Sequence, residues 1–287
     1  MRTVSLRRTP RRVLDRLLMQ PYVQRLLLPF GRELSGKRWV FVLGCYNSGT
    51  TLLADMLQRH PEFGGLPNEG AFLTDALPYP ERLGWPRMWS ECQQEMLVDA
   101  DDCARARRIR RQWSLWVRGG GPWVVEKSVA NVTRIDFLAE CFPQSQFVYI
   151  VRNGYAVAAG IRKKANLKRW RNPRGFRRYP IEYCARQWAV TDRVVRKSPL
   201  FPERIHTVRY EELTANPSSV MERLWRTLGA EPVNSRGLWA DMTVHEVRSP
   251  VKNMNTQSMT ELDKGDVQAI SEICTDELAR YGYFAYE

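Results

Sequence analysis

The 287-residue sequence predicts an α/β fold, a P-loop-like doubly wound parallel sheet flanked by helices, with a helical and loop insertion walling one side. Three observations predict it. The run Trp39 to Leu43 is short, continuous and apolar, as a parallel strand covered on both faces requires. A strand-then-helix pattern recurs in "PWVVEKS", in "QSQFVYIVRNGYAVAAGIRKK" and in "RIHTVRYEELTANPSSVMERLWRTLGA", and such alternation argues for a parallel sheet. The turn after the first strand, "GCYNSGTTL", nearly spells a phosphate-binding loop.

In chain order, residues 1 to 37 are expected to form a basic N-terminal helical segment, of which residues 1 to 30 are Arg-rich, poor in acids and amphipathic in their second half. That pattern fits a membrane-surface helix, an organelle transit peptide or a plain helix packed on the domain. Residues 38 to 287 are expected to form one domain. Its first helix runs from Thr50 to about Arg59 and stops before Pro61, which restricts its predecessor. Residues 62 to 121, mixed polar and aromatic, are expected to be an insertion without clear strands. An irregular stretch from 163 to 180 precedes a helix from about Glu182 to Lys197. A helix over 217–228 follows, with Asn216 as cap, Pro217 in the first turn and Gly229 just past the end.

The formal net charge is +13, which favours an anionic partner and leaves nucleic acid, anionic lipid, acidic glycan and a phosphorylated cofactor all open. The six cysteines show neither CxxC spacing nor a dense framework, so no metal or disulfide scaffold is expected, and a reduced, cytoplasmic compartment is. No run approaches the length needed to span a bilayer.

In the loop the backbone turns at Gly44 and Gly49 and enters a helix at Thr50, so N–H groups and the positive end of the helix dipole converge on one point. Against GxxxxGK[ST], Gly44, Gly49 and Thr51 fall in place, but Thr50 stands where the triphosphate-binding lysine belongs. No strand-borne Asp of Walker B type and no acidic pair with metal spacing follows, so no metal is expected.

"NSGTTLL" followed by "HPEFGGLPNE", then "VVEKSVANVTRIDFLAECFPQSQFVYIVRNGYAVAAGI", then "VRYEELTANP" together resemble the PAPS-dependent sulfotransferases, especially the bacterial, carbohydrate and tyrosylprotein branch. The resemblance covers about residues 38 to 230 in the same order. It implies that PAPS (3′-phosphoadenosine 5′-phosphosulfate) is the co-substrate, its phosphosulfate end held by Asn47, Ser48, Gly49, Thr50, Thr51 and Leu52. A phosphosulfate suits such a dipole-and-hydroxyl cradle. Many family members carry Lys or Arg where this chain has Asn47, so the leaving-group cation must come from elsewhere, and Lys127 in "EKS" is the expected source.

The resemblance further implies that Arg152 holds the 3′-phosphate, bidentately as a guanidinium can. Gly160 stands where the family usually places a second ligand, a serine, and Arg162 or Lys163 could compensate for it. Tyr210 matches an aromatic at the cofactor site, and Arg248 and Lys252 in "VRSPVKNMN" loosely match a loop over the phosphates. Sulfuryl transfer needs removal of the nucleophile's proton. None of His60, His206 and His245 falls in the strand-end motif where the small-molecule enzymes keep their base. Glu69 in "HPEFGGLPNEGAF" matches the catalytic Glu of the tyrosylprotein and carbohydrate enzymes, and Glu62 is its nearby competitor.

The acceptor is expected to offer a hydroxyl or amine, as a glycan or lipid-linked molecule does, and not to be nucleic acid. The insertion would form the acceptor side, with Trp85, Trp89, Trp113 and Trp116 as candidate walls. Nine Lys or Arg between Arg162 and Arg178 suit an anionic glycan or membrane, and residues 1 to 30 a peripheral contact with anionic lipid; a solvated loop is the plainer reading. Two other classes fit parts of the pattern: a P-loop kinase of a small metabolite with an altered loop, and a non-enzymatic basic protein binding nucleic acid or membrane.

Overall fold

The computed structural model describes residues 20–285 except 143, 232, 236, 241, 245 and 246, and the side chains of 243, 244 and 247–249 are outside the description. The basic stretch 1–19 and His245, both singled out above, therefore lie outside the described residues. Five strands form one sheet: β1 (Arg38–Gly44), β2 (Phe63–Gly65), β3 (Trp123–Glu126), β4 (Gln146–Val151) and β5 (Ile205–Arg209), in the order β2-β3-β1-β4-β5. Every neighbouring pair is parallel. A hairpin, β6 (Met242–Val244) with β7 (Val247–Ser249), forms a separate antiparallel pair.

Side chains alternate across a strand, and here both faces are covered, which is why β1 reads as an unbroken apolar run. Trp39, Phe41 and Leu43 enter one core layer, Val40 and Val42 the other. The same division places Phe147, Tyr149 and Val151 with the first layer and Val148 and Ile150 with the second. Helix Thr50–Leu57 closes the second layer with Leu52, Leu53, Met56 and Leu57, each of which contributes about 1.5–3 kcal/mol by leaving water. Helix Pro217–Thr227 packs there too, through Val220, Met221, Leu224 and Trp225. Its end is as expected, with Gly229 at φ 78°, but Asn216 makes no side-chain cap.

The chain leaves the central β1 toward β2 and β3 on one side and returns to β4 on the other, so the ends of β1, β3 and β4 surround a topological switch point where ligands of such sheets bind.

Three expectations are corrected. The insertion contains a strand, β2, which pairs with β3 as the sheet's outer member; with two glycines in three residues it lacks the apolar pattern that marks a strand. The candidate aromatic walls belong to the interior: Trp89 and Trp113 are fully buried, Trp85 nearly so, and Trp116 packs against the same core. Finally, Cys103 and Cys141 are joined in a disulfide, tying helix Cys103–Trp113 to helix Ile135–Cys141, although their spacing of 38 residues carries no sequence signature. Cys45, Cys92, Cys184 and Cys274 are free and buried. Burial pushes the Cys45 and Cys92 thiols up to about 12, far from a reactive thiolate.

Candidate active site

The loop after β1 reaches its helix through two residues in the left-handed region, Asn47 at φ 64° and Gly49 at φ 99°. Only glycine fits the second position, since a Cβ there would stand 2.8 Å from the Tyr210 ring. With Gly49 as N-cap, no side chain caps the helix, so the first-turn N–H groups of Thr50, Thr51 and Leu52 are available to an anion. The Leu52 side chain points into the core. Ser48 and Thr50 are buried, and the Ser48 Oγ and Asn47 Nδ2 have no hydrogen-bond partner among the described residues. Buried polar atoms without partners cost about 1–3 kcal/mol each, and an anion with acceptor oxygens is the group that would satisfy them. The loop thus fits the phosphosulfate end of PAPS.

Lys127, just past β3, donates from Nζ to Thr51 Oγ1 at 3.1 Å and lies 3.9 Å from Glu69 Oε1. The two flanking residues of "EKS" turn the other way. Glu126 is buried, and its Oε1 accepts from the Gly70 and Ser128 N–H groups, each at 2.7 Å, and from the Ser128 hydroxyl at 2.5 Å. Its Oε2 accepts from Asn131. The Ala71 N–H in turn donates to Ser128 Oγ at 2.9 Å, and the Trp113 indole donates to the Gly70 carbonyl at 2.9 Å. The motif therefore fastens the Glu69-bearing turn to the lysine it faces. Lys127 and Glu69 line a cavity of about 620 Å³ together with Thr51, Asp55, Asn68 and Arg87. Burial, opposed by the charges of Lys127 and Arg59, pushes the Asp55 carboxyl up to about 6.

Glu62, the competing carboxylate, accepts instead from the Glu231 N–H at 3.0 Å and is not among the cavity residues. His60 is a structural residue, its ring placed between the Glu231 carbonyl and the Glu62 N–H.

Arg152, at the end of β4, is 7% exposed and lies with its guanidinium 4.4 Å over the Tyr210 ring. It donates to Asn255 Oδ1 at 2.8 Å, to the Asn47 carbonyl at 2.7 Å and to Ser258 Oγ at 3.0 Å. These acceptors are neutral, and burial lowers the guanidinium's pKa, so a nearby anion would relieve a desolvated charge. Asn255 also donates to Glu211, which the Asn153 N–H and the Tyr283 hydroxyl hold from other sides. The Tyr210 hydroxyl donates to the Lys252 carbonyl and accepts from the Met254 N–H, both at 3.2 Å.

The C-terminal segment thus reaches this site through Asn255 and Ser258, which the sequence reading missed. Lys252 contributes its carbonyl while its side chain is exposed, and Arg248 lies in β7 with its side chain outside the description. Sequence alone could not distinguish Asn255 and Ser258 from other polar residues of an irregular stretch. At Gly160 a Cβ would stand 3.0 Å from both Cβ and Cγ of Asn47, so the two departures from the common family pattern are in contact. Arg162 and Lys163, the suggested compensations, point away: Arg162 pairs with Asp266 and Lys163 with Glu261.

Arg87 was also missed. It comes from the insertion, donates from Nη1 to Asn47 Oδ1 at 3.4 Å and lies 5.9 Å from the Tyr46 ring.

A parallel sheet with a glycine loop and an uncapped helix N-terminus at its switch point, a buried arginine beside it and a lysine–carboxylate pair in the adjoining cavity define an α/β fold built to receive an anion. A profile described as "Sulfotransferase family" matches residues 40–234, and the chain belongs to that family. Among curated relatives it is 22% identical over 251 residues to protein-tyrosine sulfotransferase 1 of Danio rerio, covering 84% of this chain and 65% of that protein. It is 25% identical over 214 residues to nodulation protein NoeE of Sinorhizobium fredii, covering 67% of this chain and 50% of that protein. The chain thus spans between half and two thirds of the length of these relatives.

Among solved structures, the sulfotransferase domain from the curacin biosynthetic pathway superposes with a TM-score of 0.52 at 19% identity, covering 86% of this chain and 98% of that one. Sulfotransferase STF1 of Mycobacterium tuberculosis does so with a TM-score of 0.51 at 16% identity, covering 88% and 82%. The expected fold class is the observed one. No helix among the described residues is long and apolar enough to cross a membrane, and no group of three or more His, Cys, Asp or Glu there is placed to hold a metal ion.

Proposed function

We propose that this chain is a PAPS-dependent sulfotransferase that sulfates a hydroxyl or amine, with Glu69 as general base and no catalytic metal. The observation that carries the reading is the placement of Glu69 3.9 Å from Lys127, which is itself hydrogen bonded to the phosphate-loop residue Thr51. A proton acceptor, a cation and an anion cradle then border one cavity.

PAPS supplies the sulfuryl group and the nucleotide leaving group. Glu69 takes the proton of the acceptor hydroxyl or amine as that atom attacks sulfur in line. The sulfur–oxygen bond to the phosphate breaks, its electron pair stays on the phosphate oxygen of the departing 3′-phosphoadenosine 5′-phosphate (PAP), and Lys127 with the helix N-terminus meets that charge. Arg152 holds the 3′-phosphate. Asp55, Gln58 and Asn68 on the cavity wall offer hydrogen-bonding groups that suit a polyhydroxylated acceptor such as a carbohydrate. Tyr22, Leu26 and Phe30, exposed by 58%, 71% and 73%, follow the Arg-rich residues 1–19 in the sequence and support a peripheral contact with an anionic membrane. Sedimentation with phosphatidylserine vesicles tests that contact.

The scattered cysteines favour a cytoplasmic protein, whereas the Cys103–Cys141 pair favours an oxidising compartment; the thiol count of the denatured native protein, six or four, decides. Calorimetry tests the cofactor. PAP should bind equally in EDTA and more weakly to Arg152→Ala, whereas ATP binding without any response to PAP would sink the reading in favour of a kinase. Glu69→Gln should abolish PAP release from PAPS with acceptor while leaving PAP affinity within about twofold; retained activity would move the base elsewhere.

A further inference from the structure

The loop from Gly44 to Thr51 contains no cationic side chain, yet it is the place where charge on the 5′-phosphate must be met. Position 47 cannot simply be read as a loss. Asn47 sits at φ 64° with its Cβ against Gly160, and its Oδ1 accepts from Arg87 Nη1 at 3.4 Å. Arg87 arrives from the insertion, itself held in the left-handed region at φ 62°, and its N–H donates to Glu81 Oε1 at 3.3 Å. Arg87 borders the cavity that Thr51, Glu69 and Lys127 line.

Among the described residues no carboxylate forms a close ion pair with the Arg87 guanidinium, although the Glu81 carboxyl feels its charge, in contrast to Arg108, Arg162 and Arg193, which are each matched by one. Lys127 is already shared between Thr51 and Glu69. Partial desolvation, followed by the positive charges of Arg87, Arg152 and Lys163, lowers the pKa of Lys164, as expected where cations converge.

We propose that Arg87 is the cation of the 5′-phosphate subsite, supplying through space the charge that Asn47 lacks in the loop, with Asn47 orienting the guanidinium. The assignment rests on the proposed PAPS-dependent activity. It divides the work between two cations: Arg87 binds the phosphate, and Lys127 stands over the bond to be broken beside Glu69. A planar guanidinium tethered at one nitrogen retains further N–H donors for phosphate oxygens.

The test is calorimetry with two ligands that differ only at this subsite, PAP and adenosine 3′-monophosphate. Arg87→Ala should weaken PAP by about ten- to a hundredfold, the loss of a charge-assisted hydrogen bond, and leave adenosine 3′-monophosphate unchanged. Asn47→Arg added to Arg87→Ala should recover at least tenfold of the PAP affinity, and thermal unfolding should show both variants folded. Equal weakening of both ligands would mean that Arg87 merely shapes the loop, and an unchanged PAP affinity in Arg87→Ala would overturn the assignment while leaving the sulfotransferase reading intact. Failure of the unaltered protein to bind PAP would overturn both.

Discussion

Arg152 shows how one side chain can be legible in sequence while its setting is not. A lone arginine at the end of an apolar strand is conspicuous, but the carbonyl of Asn47 and the side chains of Asn255 and Ser258 that fix it come from segments over a hundred residues away in either direction. Gly160 is the reverse case. Read alone it is a missing hydroxyl; beside Asn47 it is the space that lets the loop asparagine pack. Gly160→Ser should therefore not tighten PAP. With a Cβ 3.0 Å from two Asn47 side-chain atoms, it should lower stability by about 1–3 kcal/mol and weaken PAP, as urea unfolding and calorimetry would register. Unchanged stability with tighter PAP would mean that the loop has room for a hydroxyl ligand.

At the scale of elements, the end of β3 and the turn carrying Glu69 behave as one unit. Glu126, with four hydrogen bonds, holds Gly70 and Ser128 in place, and Lys127 projects between them into the cavity. Burial raises the Glu126 pKa; the donors around it oppose that shift. Glu126→Ala should cost about 3–5 kcal/mol by leaving these donors buried and unpaired, and a stability loss below 1 kcal/mol in denaturant titration would refute this coupling.

The short helix Pro80–Leu83 carries a half-buried carboxyl, Glu81. Burial, then the charge of Glu69, pushes Glu81 from 4.5 up to about 7. Between these values the folded protein binds more protons than the unfolded one, so stability falls as pH rises from 4.5 through 7, and the penalty is complete above that. Glu81→Gln removes the dependence. It should be more stable than the unaltered protein by roughly 2 kcal/mol at pH 8 and show no advantage at pH 4, measured by thermal unfolding across that range.

Across the whole molecule, the disulfide joins the insertion to the helix leading into β4 and closes a 38-residue separation. Replacing both Cys103 and Cys141 by Ser should lower stability by about 2–4 kcal/mol, read as a fall of several degrees in Tm, and dithiothreitol should do the same to the unaltered chain alone. Equal Tm values would show that the insertion is held by its packing. That packing is extensive: Trp89 and Trp113 lie in the same core layer as Trp39 and Phe41 of β1, so the insertion shares the main core.

The sequence by itself determined four of the sheet's five strands, their doubly wound connectivity and the glycine loop after β1, because apolar runs, strand–helix alternation and glycine spacing are local patterns that survive without coordinates, whereas the glycine-rich β2 carries no such pattern. It also singled out Glu69, Lys127 and Arg152, each beside a short motif. What only the tertiary structure decided was how charges are shared among distant segments: Arg87 against Asn47, Asn255 and Ser258 against Arg152, Glu126 beneath the Glu69 turn, and Cys103 with Cys141. No periodicity records such contacts, since polar residues in irregular stretches acquire a role only when the fold brings a partner within hydrogen-bonding distance.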